Sequence, residues 1–168
     1  TDYTVIDTAL GQIGAVSVPL QTSSAASSLL PIVAETEPVL IAVSVDYVAD
    51  AVELAVGGPA PARFLVFDHH PEVDDEREAI DQARDALSGL NVTVETFGDV
   101  LSRGRELPDA PTPVSEEADP LALLIYTSGS TGAPKGAMYP ESNMTSFWRR
   151  ASTACFGPSE SSINLAFM

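Results

Sequence analysis

Apolar positions recur along this chain in two rhythms, one helical and one extended, and the switches between them predict its elements. TVIDTALGQIGAVSVPL has helical spacing up to about Ile13, then Gly14 and a brief strand through Val16 and Val18 that Pro19 stops. Ser23, Ser24, Ser27 and Ser28 stand just before LLPIVAE, where short hydroxyls would cap a helix and Pro31 would occupy its first turn. PVLIAVS is the continuous apolar run of a buried strand. VDYVADAVELAV returns to helical spacing and ends at Gly57 and Gly58, after which RFLVFD is strand-like again. From Glu72 to Leu87 a highly charged stretch keeps Ile80, Ala83 and Leu87 in one stripe, as a solvated helix with one apolar side would. NVTVETF predicts a strand and FGDVLSRG a short helix.

A proline-rich acidic connection over about 106–120 interrupts this alternation. An exposed loop within one domain or a subdomain seam would fit it, with the loop favoured because the apolar strand LALLIYT that follows needs sheet neighbours. KGAMY predicts a second short strand. ESNMTSFWRRASTACF predicts a helix with Met144, Phe147, Trp148 and Ala151 on one side, and INLAFM a last strand. The repeated alternation specifies an α/β fold around a largely parallel sheet.

Composition narrows the setting. A chain of 168 residues can bury roughly 70 % of its unfolded surface, enough for one substantial domain or a piece of a larger one. No apolar run reaches the roughly 20 residues needed to span a membrane, and no secretory signal opens the sequence. Cys155 is the single cysteine, expected to be a small core residue, so no intrachain disulfide can form and a reducing cytoplasm is the expected location. The absence of an initiator Met and the close on an apolar strand lead to the expectation of a fragment. His69 and His70 are adjacent, and neighbours on a strand point opposite ways, so a shared metal ion is not expected there.

The formal charge of −16 argues against nucleic acid or an anionic membrane as partner. The acids are unevenly spread: residues 1–120 carry a net −17 and residues 121–168 a net +1. Screening over about 8 Å at physiological salt leaves local donors to decide whether an anion binds in the second block. The only lysine in the chain, Lys135, lies there; every other cationic side chain is an arginine, which points to a task for a compact charge on a flexible stem.

Lys135 closes TSGSTGAPKG, residues 127–136. A simple turn would account for the glycines and the proline. Thr127, Ser128, Ser130 and Thr131 add hydroxyls, Gly129 and Gly132 let backbone N–H groups converge, and Lys135 adds a full charge, which together suit a polyphosphate. The string is not a Walker loop, since Pro134 precedes Lys135 and Gly136 follows it. Nor is it a nucleophile elbow, since Ser128 stands where glycine is required before Ser130 and no histidine follows.

YTSGSTGAPKGAM resembles along its whole length the phosphate loop of the adenylate-forming enzymes, the superfamily of acyl-CoA synthetases, peptide-synthetase adenylation domains and luciferases. ALGQIGAVSVPL is similar to that superfamily's early helix and strand, and Tyr139-Pro140-Glu141 resembles the adenylation domain of carboxylic acid reductases. The resemblance implies that residues 1–168 are a partial adenylation domain, part of the large N-terminal subdomain. It implies that Thr127, Ser128, Gly129, Ser130, Thr131, Gly132 and Lys135 bind ATP phosphates, with Mg²⁺ offsetting charge. A carboxylic acid would become acyl-AMP; a carrier domain's phosphopantetheine thiol and an NADPH-dependent reductase domain would follow in the intact protein. A fatty acyl-CoA ligase and a non-catalytic interaction piece stay open as alternatives, because the loop does not distinguish the acyl acceptor.

The superfamily's magnesium-holding aromatic-Gly-x-Thr-Glu motif has no counterpart here, since Ala34 stands where Glu35-Thr36-Glu37 would need a glycine. The ribose-binding Asp and the lysine of the mobile subdomain are also missing. No catalytic residue is therefore assigned, and the segment alone is expected to be inactive without the remainder of its domain. Trp148 and Phe147 are expected in a helix core in preference to the border of an acyl pocket.

Overall fold

The computed structural model describes residues 2–111, 114–128 and 134–155. Helices α1 (Asp2–Gln12) and α2 (Ala26–Thr36) precede strand β1 (Leu40–Ser44), helix α3 (Val48–Gly57), strand β2 (Arg63–Phe67), helix α4 (Asp74–Leu87), strand β3 (Thr93–Thr96) and helix α5 (Phe97–Gly104). After the acidic connection come strands β4 (Leu121–Ser128) and β5 (Pro134–Pro140) and helix α6 (Glu141–Cys155). The predicted strand over 163–168 lies outside the described residues.

The first three strands form a parallel sheet in the order β1-β2-β3, with Ile41 opposite Phe64 and Phe64 opposite Val94. The continuous apolar runs have a direct cause: both faces of this sheet are covered. Phe64 and Val66 point to one face, where they pack with Ala51 and Ala55 of α3 and Ile80, Ala83 and Leu87 of α4. Leu65 and Phe67 point to the other, against Ile6 of α1 and the half-buried Phe97 and Val100 of α5. Tyr3 adds a tilted ring contact with Phe67 at 6.4 Å between centroids. α2 lies on α3 through Ala26, Val33 and Leu54.

The charged helix is the wet face that its stripe predicts. Its ion pairs Arg77–Asp74 and Arg84–Asp81 are surface pairs three residues apart, each worth only about 0 to 1 kcal/mol. The histidine pair sits after β2, where the His70 amide donates to Glu76 Oε2 at 2.6 Å and its Nδ1 lies 3.3 Å from Oε1. Among the described residues, no group of three His, Cys, Asp or Glu side chains is arranged to hold a metal ion, and no helix is long and apolar enough to cross a membrane.

Three local expectations change. Ala25, not a serine, stands at the N-cap of α2 and makes no side-chain cap bond; Ser27 and Ser28 are already inside the helix. Pro31 consequently falls beyond the first turn, removing one helical N–H. The helix tolerates this because Ser27 and Pro31 are exposed and water can serve the freed carbonyl. Val16–Val18 forms no strand of its own but a single bridge, in which Ser17 pairs in parallel with Leu123. Gly14, at φ 71°, turns the chain from α1 toward it, a conformation that favours glycine.

α5 is the best-capped helix. Thr96 Oγ1 accepts from the Asp99 amide at 3.2 Å, while Asp99 Oδ2 accepts from the Thr96 amide at 3.1 Å and hydroxyl at 2.7 Å. The Thr96 hydroxyl, then its amide, holds the Asp99 carboxyl below its ordinary value. A depressed folded pKa stabilises fully above the unfolded value and is lost as pH falls through the folded one. Thr96→Ala is expected to cost about 1 to 2 kcal/mol in urea denaturation at neutral pH. The gap from wild type should narrow as the pH drops below about 3.9, the ordinary aspartate value.

Candidate functional site

β4 and β5 do not extend the parallel sheet but pair with each other, antiparallel. Their register sets Tyr126 opposite Gly136, Thr127 opposite Lys135 and Ser128 opposite Pro134, with an irregularity between Leu121 and Leu123. Side chains alternate across a strand, so Leu124, Tyr126, Gly136 and Met138 share one face and Ile125, Thr127, Lys135 and Ala137 the other.

The first face looks into a cleft of about 1020 Å³, whose opposite wall includes Leu10 of α1, Leu29 and Val33 of α2 and Leu40 of β1. Tyr126 and Glu35 of α2 both line it; burial first, and then this carboxylate, push the Tyr126 phenol above the ordinary value. A Cβ at Gly136 would lie 2.9 Å from Leu124 Cδ1 and 3.2 Å from Tyr126 Cζ, so the cleft face is filled by its cross-strand neighbours.

The second face carries the exposed Thr127 and Lys135 together at the end of the hairpin. Directly opposed residues hold their Cβ atoms about 4.5 to 5.5 Å apart, so a hydroxyl and an ammonium can serve one anion from this position. Of the expected phosphate-binding residues, Thr127, Ser128 and Lys135 are thus brought to adjacent strand ends, while Gly129, Ser130, Thr131 and Gly132 lie outside the described residues.

The open end of the hairpin is tied at both strands. The Ser17 amide donates to the Ala122 carbonyl at 3.0 Å and the Leu124 amide to the Ser17 carbonyl at 2.9 Å, while the Ser17 hydroxyl donates to Asp7 Oδ1 of α1 at 3.0 Å. At the exit, the Asp119 carboxylate accepts from the Ser142 amide at 2.9 Å and hydroxyl at 2.6 Å, which lowers its pKa and caps the start of α6. Along α6, Met144 is half-buried but Phe147 is 61 % exposed, so the expected core placement does not hold for Phe147; the side chains of Trp148, Ala151 and Cys155 lie outside the described ones. The sequence reading missed Tyr126, Glu35 and Asp119, since their neighbours in the fold are remote in sequence and no local pattern marks them.

The family model for AMP-binding enzymes matches residues 1–167. The chain belongs to the AMP-binding enzyme family. Among curated members, it is 57 % identical over 169 residues to a carboxylic acid reductase of Mycobacterium tuberculosis, covering 99 % of this chain and 14 % of that protein. It is 55 % identical over 174 residues to one from Mycobacterium marinum, again covering 99 % of this chain and 14 % of the relative. The chain therefore spans about 14 % of the length of these relatives. Its fold is similar to the adenylation domain of the Segniliparus rugosus carboxylic acid reductase, solved with AMP and a co-purified carboxylic acid. The TM-score is 0.81 at 44 % identity, over 88 % of this chain and 23 % of that one. AMP-binding enzymes of this kind thus share both the α/β fold and the segment that carries the hairpin.

Gly136→Ala is expected to destabilise by at most about 1 kcal/mol, since the added methyl need only turn aside the tip of Leu124 and ease slightly from the Tyr126 ring. In a Leu124→Ala background the same change should cost less, because the nearest obstructing atom is gone; urea denaturation of the four proteins in that cycle checks it.

Proposed function

We propose that the protein containing this chain activates a carboxylic acid with ATP, giving acyl-AMP and pyrophosphate, as the first step of carboxylic acid reduction. The observation carrying this reading is the identity to carboxylic acid reductases, which extends through 99 % of the chain and not through the loop alone. In the proposed reaction, two anions must approach: the substrate carboxylate and the α-phosphate of ATP. Thr127, Ser128 and Lys135, with the Gly129, Ser130, Thr131 and Gly132 segment, would hold the β and γ phosphates and stabilise charge as pyrophosphate leaves. Among the described residues Lys135 forms no ion pair, which leaves its ammonium uncommitted to a carboxylate.

No nucleophile is needed in this assignment: the acid is the nucleophile, and the hairpin binds and stabilises charge. The described residues show no acidic cluster for Mg²⁺, so the ion would enter with ATP and take its protein ligands from elsewhere in the domain. Phosphopantetheine and NADPH belong to carrier and reductase domains of the intact protein and would accept and reduce the acyl group. A cytoplasmic setting accompanies this reading, since ATP and NADPH are drawn from that pool.

Removing one well-aimed donor from a charge-stabilising site costs about 2.7 to 4 kcal/mol. Lys135→Ala in the complete enzyme is therefore expected to slow acid-dependent exchange of pyrophosphate into ATP at least about tenfold, and by up to about a thousandfold. Exchange at the wild-type rate would overturn the role of Lys135.

A further inference from the structure

The cleft beside the hairpin has the shape of a gap in a sheet. Among the described residues β1 pairs with β2 alone, so its other edge carries backbone N–H and C=O groups that no strand meets. All of β1, Leu40–Ser44, lines the cleft, as does every residue over 15–20. Side chains of a strand alternate between its faces, so a cavity that touches consecutive residues of both runs lies along their edges and not under one face. The run 15–20 is bound on its far side, where Ser17 pairs in parallel with Leu123 through backbone bonds of 2.9 and 3.0 Å. The cleft thus separates two edges, that of the three-stranded sheet and that of the chain flanking the hairpin.

The walls define what fits. Ile6 and Leu10 of α1 line the cleft from the sheet face that carries Leu65 and Phe67, and Ala51 of α3 lines it from the face that carries Phe64 and Val66. Helices therefore stand on both sides of the gap, so an occupant must be apolar on both of its faces. It must also bring backbone donors and acceptors to two edges, because buried groups of that kind left unpaired are costly. A single apolar strand meets both requirements. A helix, whose backbone groups bond within itself, meets only the first.

We propose that residues 163–168, INLAFM, are the strand that docks in this gap, meeting β1 on one edge and 15–18 on the other, so that the parallel sheet and the hairpin become one sheet. These residues lie outside the described ones. The run is apolar at both alternations, Ile163, Leu165 and Phe167 on one and Ala166 and Met168 on the other, with Asn164 its only polar member. Its six residues match the five of β1. The reach is sufficient: α6 packs on β4 and β5, which border the cleft, and the seven residues 156–162 can span up to about 25 Å. Docking would tie Ser17, and through it the start of β4, to the sheet by backbone ladders as well as through α1.

The test uses the complete protein. With Phe167 replaced by the photo-crosslinker p-benzoylphenylalanine, irradiation and peptide mapping should place the cross-links in α1, in α3 or in one of the flanking runs, 15–20 and 39–44. Cross-links confined to any other part of the protein would overturn the proposal and leave the cleft to a different segment. Hydrogen exchange read by mass spectrometry gives a second measure. Ala166→Pro removes a ladder donor and should speed exchange over 15–18 and Leu40–Ser44 at least about tenfold, with β3, two strands further along the sheet, within about twofold. Unchanged exchange in both runs of a folded Ala166→Pro protein would equally overturn the docking. Where that variant does not fold, the position of the cross-link decides alone.

Discussion

The pairing of Thr127 with Lys135 across β4 and β5 is the constraint on which the candidate site depends. Because strand side chains alternate, a slip of one residue would turn Lys135 toward the cleft face. Shape opposes such a slip, since Leu124 and Tyr126 crowd Gly136 and a Cβ there would have to move the tip of Leu124.

The parallel sheet supplies the rigid base for that hairpin. Phe64 and Val66 bury one face and Leu65 and Phe67 the other, so α1 is pressed onto the sheet through Ile6. α1 in turn holds Ser17 through Asp7, and the Ser17 backbone bonds β4 on both sides of Leu123. Position therefore passes from sheet to helix to loop to hairpin through short, directional contacts. The connection over 106–120 ends in the same system, since Asp119 anchors α6 where the second strand leaves. Within the AMP-binding enzyme family, this chain carries the exposed Thr127 and Lys135 side by side on a braced pair of strands.

Charge has a different role in each part. The ion pairs of α4 are exposed and contribute little, whereas Glu95, with 14 % of its side chain exposed, joins Arg63 of β2 at 2.8 Å and Arg103 of α5 and is held below its ordinary pKa, first by the Arg103 bond. The acids concentrate in the sheet portion, and the portion with the hairpin is close to neutral. That separation lets a strongly acidic chain carry a face suited to an anion.

The sequence by itself determined the strands of the parallel sheet, the helices between them and the hairpin strands. These are written in local periodicity and residue type, as in RFLVF or the Ile80, Ala83 and Leu87 stripe, and need no knowledge of distant partners. The start of α2 was less legible because serines lie on both sides of it, and Ala25 rather than a hydroxyl residue takes the cap. Only the tertiary structure decided that β4 and β5 pair with each other instead of extending the parallel sheet, that Ser17 bridges to Leu123, and that Glu35 and Tyr126 line one cleft. The last two join residues far apart along the chain, and the first depends on which of two possible neighbours a strand finds; nothing in a local pattern specifies a partner that only packing supplies.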